Sequence, residues 1–311
     1  MSQDSLDLSI GPERAGRRLD RVLAEALGTS RAETRRLLAR GGVELDGRAL
    51  DASAKGIFLE EGSRLRVDGY RPTAEQVPIA EPDEAGRFPI LASGKGWVVL
   101  DKPAGTPVHP LREDERGTLL GAVVAREIGV VGVGEGGLRS GVVHRLDVDT
   151  SGAVVIATAQ QSWKRLRRAF RDHRVTKLYR AIVAGRIELE RGIELPLVVA
   201  RHKPARVRVV EPERAAALGA TVARQRVRPL ETFQDATLVE VSLETGFLHQ
   251  IRATFAHLGH PVLGDPTYAS EEIAARAPRQ MLHAAVLRFE EIEASSPDPA
   301  DFETVLDALR D

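Results

Sequence analysis

Apolar positions recur along this chain in two rhythms. Before residue 70 the rhythm is helical. Leu19, Val22, Leu23, Ala26 and Leu27 fall three and four apart, which predicts an amphipathic helix over Arg18–Leu27. Ser30-Arg31-Ala32-Glu33 reads as a capping box opening a second helix to about Arg40, stopped by Gly41-Gly42. On it Leu37 and Leu38 point inward, while Arg31, Arg35, Arg36 and Arg40 gather on the outer part. Val43-Glu44-Leu45 predicts a short strand, Asp46-Gly47 a hairpin turn, and Leu65-Arg66-Val67 a closing strand. Tyr70 to Arg87 carries Pro72, Pro78 and Pro82 with little periodicity, the composition of a linker.

Beyond Arg87 short strands take over. Trp97–Leu100, Ala153–Ala157, Lys177–Val183 and Ala236–Leu243 read as strands; Gln160 to about Arg171 and Phe247–Leu258 read as helices, the latter stopped by Gly259. Helices are few between strands. The prediction is an α+β domain on a mixed, mainly antiparallel sheet, preceded by a small α/β module.

Composition narrows the function. At roughly 150 residues per domain, 311 residues predict about two domains. There are no cysteines, which excludes disulfides, thiolate metal sites, iron–sulfur clusters and a Cys nucleophile. No apolar run approaches the ~20 residues of a membrane helix. The first residues carry neither a basic nor an apolar region of a secretory signal, so a cytoplasmic protein away from membranes is expected.

The formal net charge of −1 argues at first against nucleic acid. The charges are not mixed evenly, however. Residues 160 to 186 hold nine Lys/Arg against one acid, and Arg201, Lys203, Arg206 and Arg208 add four more. Residues 290 to 311 hold eight acids and one base, and residues 72 to 86 four acids and none. The basic stretch is either a solvated helix face or a phosphate-contacting surface. Charge alone does not decide between them.

Several motifs mislead. Gly132-Val133-Gly134-Glu135-Gly136-Gly137 satisfies G-x-G-x-x-G, but Leu138-Arg139-Ser140-Gly141 cannot open the long helix that a dinucleotide needs, so a loop is expected. No phosphate-binding P-loop pattern occurs. His257 and His260 straddle a helix stop and there is no H-E-x-x-H, which leaves a hydrolytic metal site a distant third reading.

The chemistry concentrates in His144-Arg145-Leu146-Asp147-Val148-Asp149-Thr150-Ser151-Gly152. In an extended segment Arg145 and Asp147 project to one side and Leu146 to the other. A guanidinium and a carboxylate then face one groove, or form a surface ion pair at a strand entrance.

The whole segment resembles the H-R-L-D-x-x-T-S-G signature of the RluA-type pseudouridine synthase family. Further matches follow in order at Leu100–Gly105 with Val108-His109-Pro110, Lys177–Ala181, Glu244–Arg252, His257–Asp265 and Leu282-His283-Ala284. The segments Arg18–Leu23, Thr29–Arg31, Leu37-Leu38, Gly42-Val43, Asp46-Gly47 and Gly62–Val67 resemble the S-four-type RNA-binding domain. The resemblance implies an S-four-like domain over 14–70, a linker over 71–87 and a pseudouridine synthase domain over 88–311.

It further implies an isomerase that turns uridine into pseudouridine in structured RNA, ribosomal or transfer, as a monomer without cofactor or metal. Asp147 matches the catalytic Asp, which acts as nucleophile or assists glycosidic cleavage. Arg252 matches its Arg partner, and Tyr179 the Tyr that stacks on uracil. Arg145 matches the residue that enters the RNA where the base leaves. Lys177 is expected at the RNA backbone, as are Arg31, Arg35, Arg36 and Arg40, with His144, Thr150, Ser151, Gly152 and His249 in support. Phe247 stands where the family usually has Arg, which bears on substrate choice. The competing reading is a catalytically silent RNA-binding protein on the same surfaces. A positive face is expected around Asp147, with the acidic segments turned away from it.

Overall fold

The computed structural model describes residues 5–29, 31–68, 79–126 and 128–311. They form two compact units, divided between Val77 and Pro78.

In the first unit, β1 (Ser5–Ser9), α1 (Leu19–Ala26), α2 (Arg31–Ala39), β2 (Val43–Leu45), β3 (Arg48–Ala49) and β4 (Arg64–Asp68) follow one another. The strands make one antiparallel sheet in the order β1-β4-β2-β3. Leu19, Val22 and Leu23 of α1 and Leu37 and Leu38 of α2 bury against Val43, Leu65 and Val67, as their spacing predicts. The unit starts earlier than residue 14. β1 lies along β4, with Leu6 and Leu8 packed against the core. Ser30, the expected cap, lies outside the described residues, as do 69–70 and 71–78 of the expected linker. The rest of that stretch packs on the second unit. Ala80 is buried among Leu119, Leu120 and Val123. Asp83 Oδ2 accepts from Gly117 N (2.8 Å), and Glu81 pairs with Arg116. Acidic, proline-rich composition marked this piece as a linker, but Glu81 and Asp83 find donors at Arg116 and Gly117.

The second unit contains β5 (Ile90–Gly94), β6 (Trp97–Lys102), α3 (Leu119–Ala125), β7 (Ser151–Ala157), α4 (Gln160–Arg171), β8 (Thr176–Ala184), β9 (Arg191–His202), β10 (Ala205–Val209), α5 (Pro212–Ala215), β11 (Thr221–Thr232), β12 (Ala236–Leu243), α6 (Gln250–His257), α7 (Glu271–Ala274), β13 (Leu282–Phe289), β14 (Ile292–Ser295) and α8 (Ala300–Arg310). Nine of the ten strands run β10-β9-β11-β12-β8-β13-β7-β6-β5, and β14 pairs with β13. The fold is α+β. Among the described residues every pairing in this sheet is antiparallel except β13 with β7.

The exceptional joint is short: His283 faces Ser151 and Ala284 faces Gly152. Gly152 has φ +115°, and a Cβ there would lie 2.3 Å from Ala284 O. Only glycine lets β7 leave the preceding loop and enter the sheet at this point. One core lies around Val239, Val241, Phe255 and Phe302, and another around Val99, Val155 and Leu166. The chain segment before β7 sits at the seam of the sheet.

Gly152→Ala should therefore cost about 2–3 kcal/mol and lower the thermal unfolding midpoint by about 5–10 °C. A midpoint within about 1 °C of the parent in a calorimetric scan would mean that the seam tolerates a side chain.

Candidate active site

The segment before β7 carries no regular structure through Val143–Asp147, with Val143 and Leu146 buried, Arg145 exposed and Asp147 half-buried. Arg145 and Asp147 line one cavity of about 70 Å³, but Leu146, expected on the opposite side, borders it too, so simple alternation does not describe this segment. The turn that follows is clamped from several sides. Gln280 Nε2 donates to Thr150 Oγ1 (2.7 Å), and Arg279 Nη1 to Asp149 O (3.1 Å). Ser151 Oγ accepts from Arg279 Nη2 (3.3 Å) and lies 2.9 Å from His283 Nδ1. The other His283 nitrogen faces the Ser296 carbonyl at 3.1 Å, which can only accept. Burial keeps this imidazole toward its neutral form. Its proton is thus assigned to Nε2, and Ser151 donates to Nδ1.

Beneath the turn lies Lys102, fully buried at the end of β6. Its three protons match three carbonyls: Pro103 O (3.0 Å), Thr106 O (2.8 Å) and Val148 O (2.8 Å). Burial pulls its ammonium down to about 7, while Asp149 and Asp147 oppose the shift. The Val148 contact holds the peptide unit between Val148 and Asp149, one residue beyond Asp147.

Asp147 itself is held by Arg252. Arg252 Nη1 donates to Asp147 Oδ2 at 2.9 Å, while Nε and Nη2 form a fork with Asp265 Oδ2 (2.7 Å) and Oδ1 (2.8 Å). Asp265 has no exposed surface, and its Oδ1 also accepts from Thr267 N (2.9 Å) and Tyr268 N (3.2 Å). Burial alone would lower the Arg252 basicity, but the two carboxylates outweigh it and raise it above the ordinary value. The cation is permanent, and two of its edges are already taken.

The bend before α6 aims a further group at Asp147. The helix begins at Gln250, three residues later than periodicity predicts. Gln250 Oε1 accepts from Phe247 N (3.0 Å) and Thr245 Oγ1 (2.9 Å), which turns the chain ahead of the helix. His249 is left at φ +51°, with Nε2 3.8 Å from Asp147 Oδ1 and Nδ1 2.9 Å from Tyr268 Oη. Burial lowers its basicity against the pull of Asp147. It stands beside the carboxylate from outside the helix.

Tyr179 of β8 lines the same cavity. Burial, and then the charge of Asp147, raise its pKa well above the ordinary phenol range, so the hydroxyl keeps its proton at neutral pH. Arg145, Tyr179, Leu243 and Phe247 belong both to this cavity and to a groove of about 820 Å³ alongside α4. Lys177 lines the groove, donates to Thr245 O (3.2 Å), and is pulled down to about 8 by burial.

The structure thus brings Asp147, Tyr179, Arg252, Arg145 and His249 around one cavity, with Thr150, Ser151 and Gly152 supporting the turn. His144 does not reach Asp147. Its Nε2 accepts from Val155 N (3.1 Å), its ring stacks on Phe170 at 4.5 Å, and burial pulls it down to about 3. It is a neutral structural group. In the first unit Arg35 and Arg40 are exposed, Arg35 lying 3.9 Å from Asp20; the side chains of Arg31 and Arg36 are outside the described residues.

The expectation that the acids turn away needs correction. Glu290 and Glu291 bind Arg165, and Glu290 also lies 3.8 Å from Arg174, so they neutralise one side of the basic stretch. Asp298 pairs with Arg180, and Asp301 with Arg279. Pairing across the sheet, invisible in a linear charge count, brings these segments together.

Sequence reasoning missed Asp265, Tyr268, Lys102, Arg279 and Gln280 as site residues. The signals were present: Asp265 ends the apolar run Pro261-Val262-Leu263-Gly264, and the charged pair Asp101-Lys102 follows the apolar strand Trp97–Leu100. A charge in such a place needs a buried partner.

A carboxylate fixed by a buried guanidinium, beside a protonated tyrosine in a narrow cavity, defines a site for acid–base or covalent chemistry on a small planar group. Comparison with known proteins gives the class. Residues 96–257 match the RNA pseudouridylate synthase family. An uncharacterized RNA pseudouridine synthase of Chloroflexus aurantiacus is 37% identical, over 97% of this chain and 93% of the relative. The ribosomal large subunit pseudouridine synthase D of Nitrosomonas europaea is 32% identical, over 99% and 89%. The solved human RNA pseudouridylate synthase domain containing 1 superposes with a TM-score of 0.57 at 25% identity, over 74% of this chain and 97% of that one. The chain belongs to the RNA pseudouridylate synthase family, the isomerases that convert uridine in RNA to pseudouridine. Among the described residues no helix is long and apolar enough to cross a membrane.

Lys177 gives this site a measurable pH dependence. It holds fewer protons folded than unfolded between about 8 and 10.5, so its burial cost relaxes as pH rises through that window. Its charge in the groove is lost over the same rise. RNA affinity at low salt should fall about two- to fivefold between pH 7 and 9 by fluorescence anisotropy. Lys177→Met should flatten that fall; an equal fall in the variant would remove Lys177 from the interface.

Proposed function

We propose that this chain modifies uridines of large-subunit ribosomal RNA, acting as a monomer in the cytoplasm, with Asp147 as its catalytic carboxylate. The single observation that carries the site assignment is the fixed Asp147–Arg252–Asp265 series at the floor of the cavity that Tyr179 lines. The choice of RNA rests on relatives named ribosomal large subunit pseudouridine synthase D, in Nitrosomonas europaea and Haemophilus influenzae.

The reaction breaks the bond from ribose to the uracil nitrogen and rejoins the ribose to carbon 5 of the base, with no atom gained or lost. Asp147 is the carboxylate on which that cleavage depends. Arg252 holds it in place at the cavity through the Nη1 hydrogen bond. Tyr179 stacks against the uracil and, protonated at neutral pH, has a proton to lend. The uridine must leave its stack to enter, at a cost of a few kcal/mol. Arg145, exposed at the cavity mouth, enters the gap left behind, where its planar guanidinium can stack. The first unit serves as an S-four-like RNA-docking module through the basic side of α2, where Arg35 and Arg40 are exposed.

Asp147→Asn should lower pseudouridine formation on an unmodified large-subunit ribosomal RNA transcript by at least about 10³-fold, with RNA affinity kept within about twofold. Pseudouridine still formed by the substituted protein would overturn the assignment of Asp147.

A further inference from the structure

The groove along α4 is larger than the cavity around Asp147 and is not needed to hold one base. It is lined by Arg145, Lys164, Arg167, Arg168, Arg171 and Lys177, and by no Asp or Glu. Two carboxylates lie behind this lining. Asp172 pairs with Arg168 and Arg171, and Glu135 lies 3.9 Å from Arg167. Six cations against two carboxylates leave a surplus of four positive charges.

The helix is electrically two-sided. Arg165 turns away from the groove and is bound by Glu290 and Glu291. Lys164, Arg168 and Arg171, spaced four and three apart, share the groove side within about 10 Å of helix length. Among the described residues Lys164 has no ion pair. Glu290 and Glu291 neutralise the far face, while among the described residues the groove cations meet only Asp172 and Glu135, neither of which lines the groove.

The glycine-rich stretch that failed as a nucleotide motif anchors this wall. A Cβ at Gly134 would lie 2.3 Å from Trp163 Nε1, so only glycine lets that loop pack on the indole. Trp163 Nε1 donates to Val142 O (3.1 Å), tying the first turn of α4 to the segment that leads into Arg145 and Asp147. At the other end of the wall, half-buried Phe247 stands where the groove meets the cavity.

Cations in a row beside an aromatic ring form the signature of a groove for unpaired nucleic acid, because a duplex presents no free base face to the ring. We propose that the α4 groove holds the unpaired RNA strand next to the target uridine, with phosphates on Lys164, Arg168 and Arg171 and the neighbouring base on Phe247. The proposal rests on the pseudouridine synthase reading for the identity of its ligand. It adds that the flanking strand is single and follows α4.

The test measures binding of the full chain to a single-stranded oligouridylate of about 12 nucleotides and to an RNA duplex of about the same length, across salt. Lys164→Gln/Arg168→Gln/Arg171→Gln should weaken oligouridylate binding at least about tenfold at about 50 mM salt. It should lower the slope of log affinity against log salt by about 2, since a single strand contributes ~0.7 per phosphate contact. Duplex binding should fall less than about threefold. A control of equal charge, Arg112→Gln/Arg186→Gln/Arg214→Gln, should change oligouridylate binding less than about threefold. Phe247→Ala should weaken oligouridylate binding about fivefold or more without changing the salt slope. Thermal unfolding of each variant establishes that it is folded. Equal losses for the groove and control variants would overturn the proposal, as would equal losses on duplex and single strand. Because binding is read without turnover, a chain that makes no pseudouridine would contradict the assigned reaction and leave this result standing.

Discussion

The site depends on one buried guanidinium shared by two carboxylates. Arg252 is nearly inaccessible, and Asp265 completely so. Asp265 takes one edge of the guanidinium, through Nε and Nη2, and accepts from two backbone N–H groups, which satisfies it and fixes the plane of Arg252. One donor, Nη1, is left facing the cavity, and Asp147 accepts it. Removing one partner of such a series leaves an uncompensated buried charge, a loss of about 3–5 kcal/mol. The arrangement therefore secures orientation: it allows Asp147 one direction, toward the space that Tyr179 borders.

The surrounding structure serves the same constraint. Asp147 belongs to no strand or helix, so its backbone has to be held by side chains. Lys102 holds Val148 O from below, Arg279 holds Asp149 O, and Gln280 holds Thr150. These clamps come from β6 and from the residues just before β13, and both elements flank β7 in the sheet. Gly152 lets the clamped turn pass into β7 against Ala284. Sheet topology and site geometry meet at this seam, where the single parallel pairing among the described strands also falls.

Much of this was legible in the sequence because it is local. The helix at Gln160–Arg171 and the strand at Ala236–Leu243 follow from side-chain periodicity alone, and their observed bounds agree. The segment Arg145–Asp147 was legible as one that meets a cavity, although Leu146 borders it beside the two charged residues. The rest is non-local. The strand Ser5–Ser9 went unread although Leu6 and Leu8 alternate; two apolar positions are a weak signal until β4 offers them an edge and a core. The start of α6 shifts by three residues, with the Gln250 side chain accepting from Phe247 N and Thr245 Oγ1 and so holding the bend ahead of the helix. Asp265 and Lys102 are charges following apolar runs, and only folding reveals the partners that make their burial tolerable. The total charge of −1 conceals a two-sided helix, since acids near residue 290 cancel one side of α4 and leave the other.

If Asp265 acts on the chemistry through Arg252, the two residues form one unit, and their effects on turnover do not multiply. The direct measurement is kcat for pseudouridine formation by Asp265→Asn, Arg252→Gln and the double variant, each shown to be folded. Asp265→Asn should lower kcat by on the order of 10²-fold through misplacement of Asp147, and the double variant should be no slower than Arg252→Gln alone. Losses that multiply in the double variant would contradict the relay from Asp265 through Arg252 to Asp147.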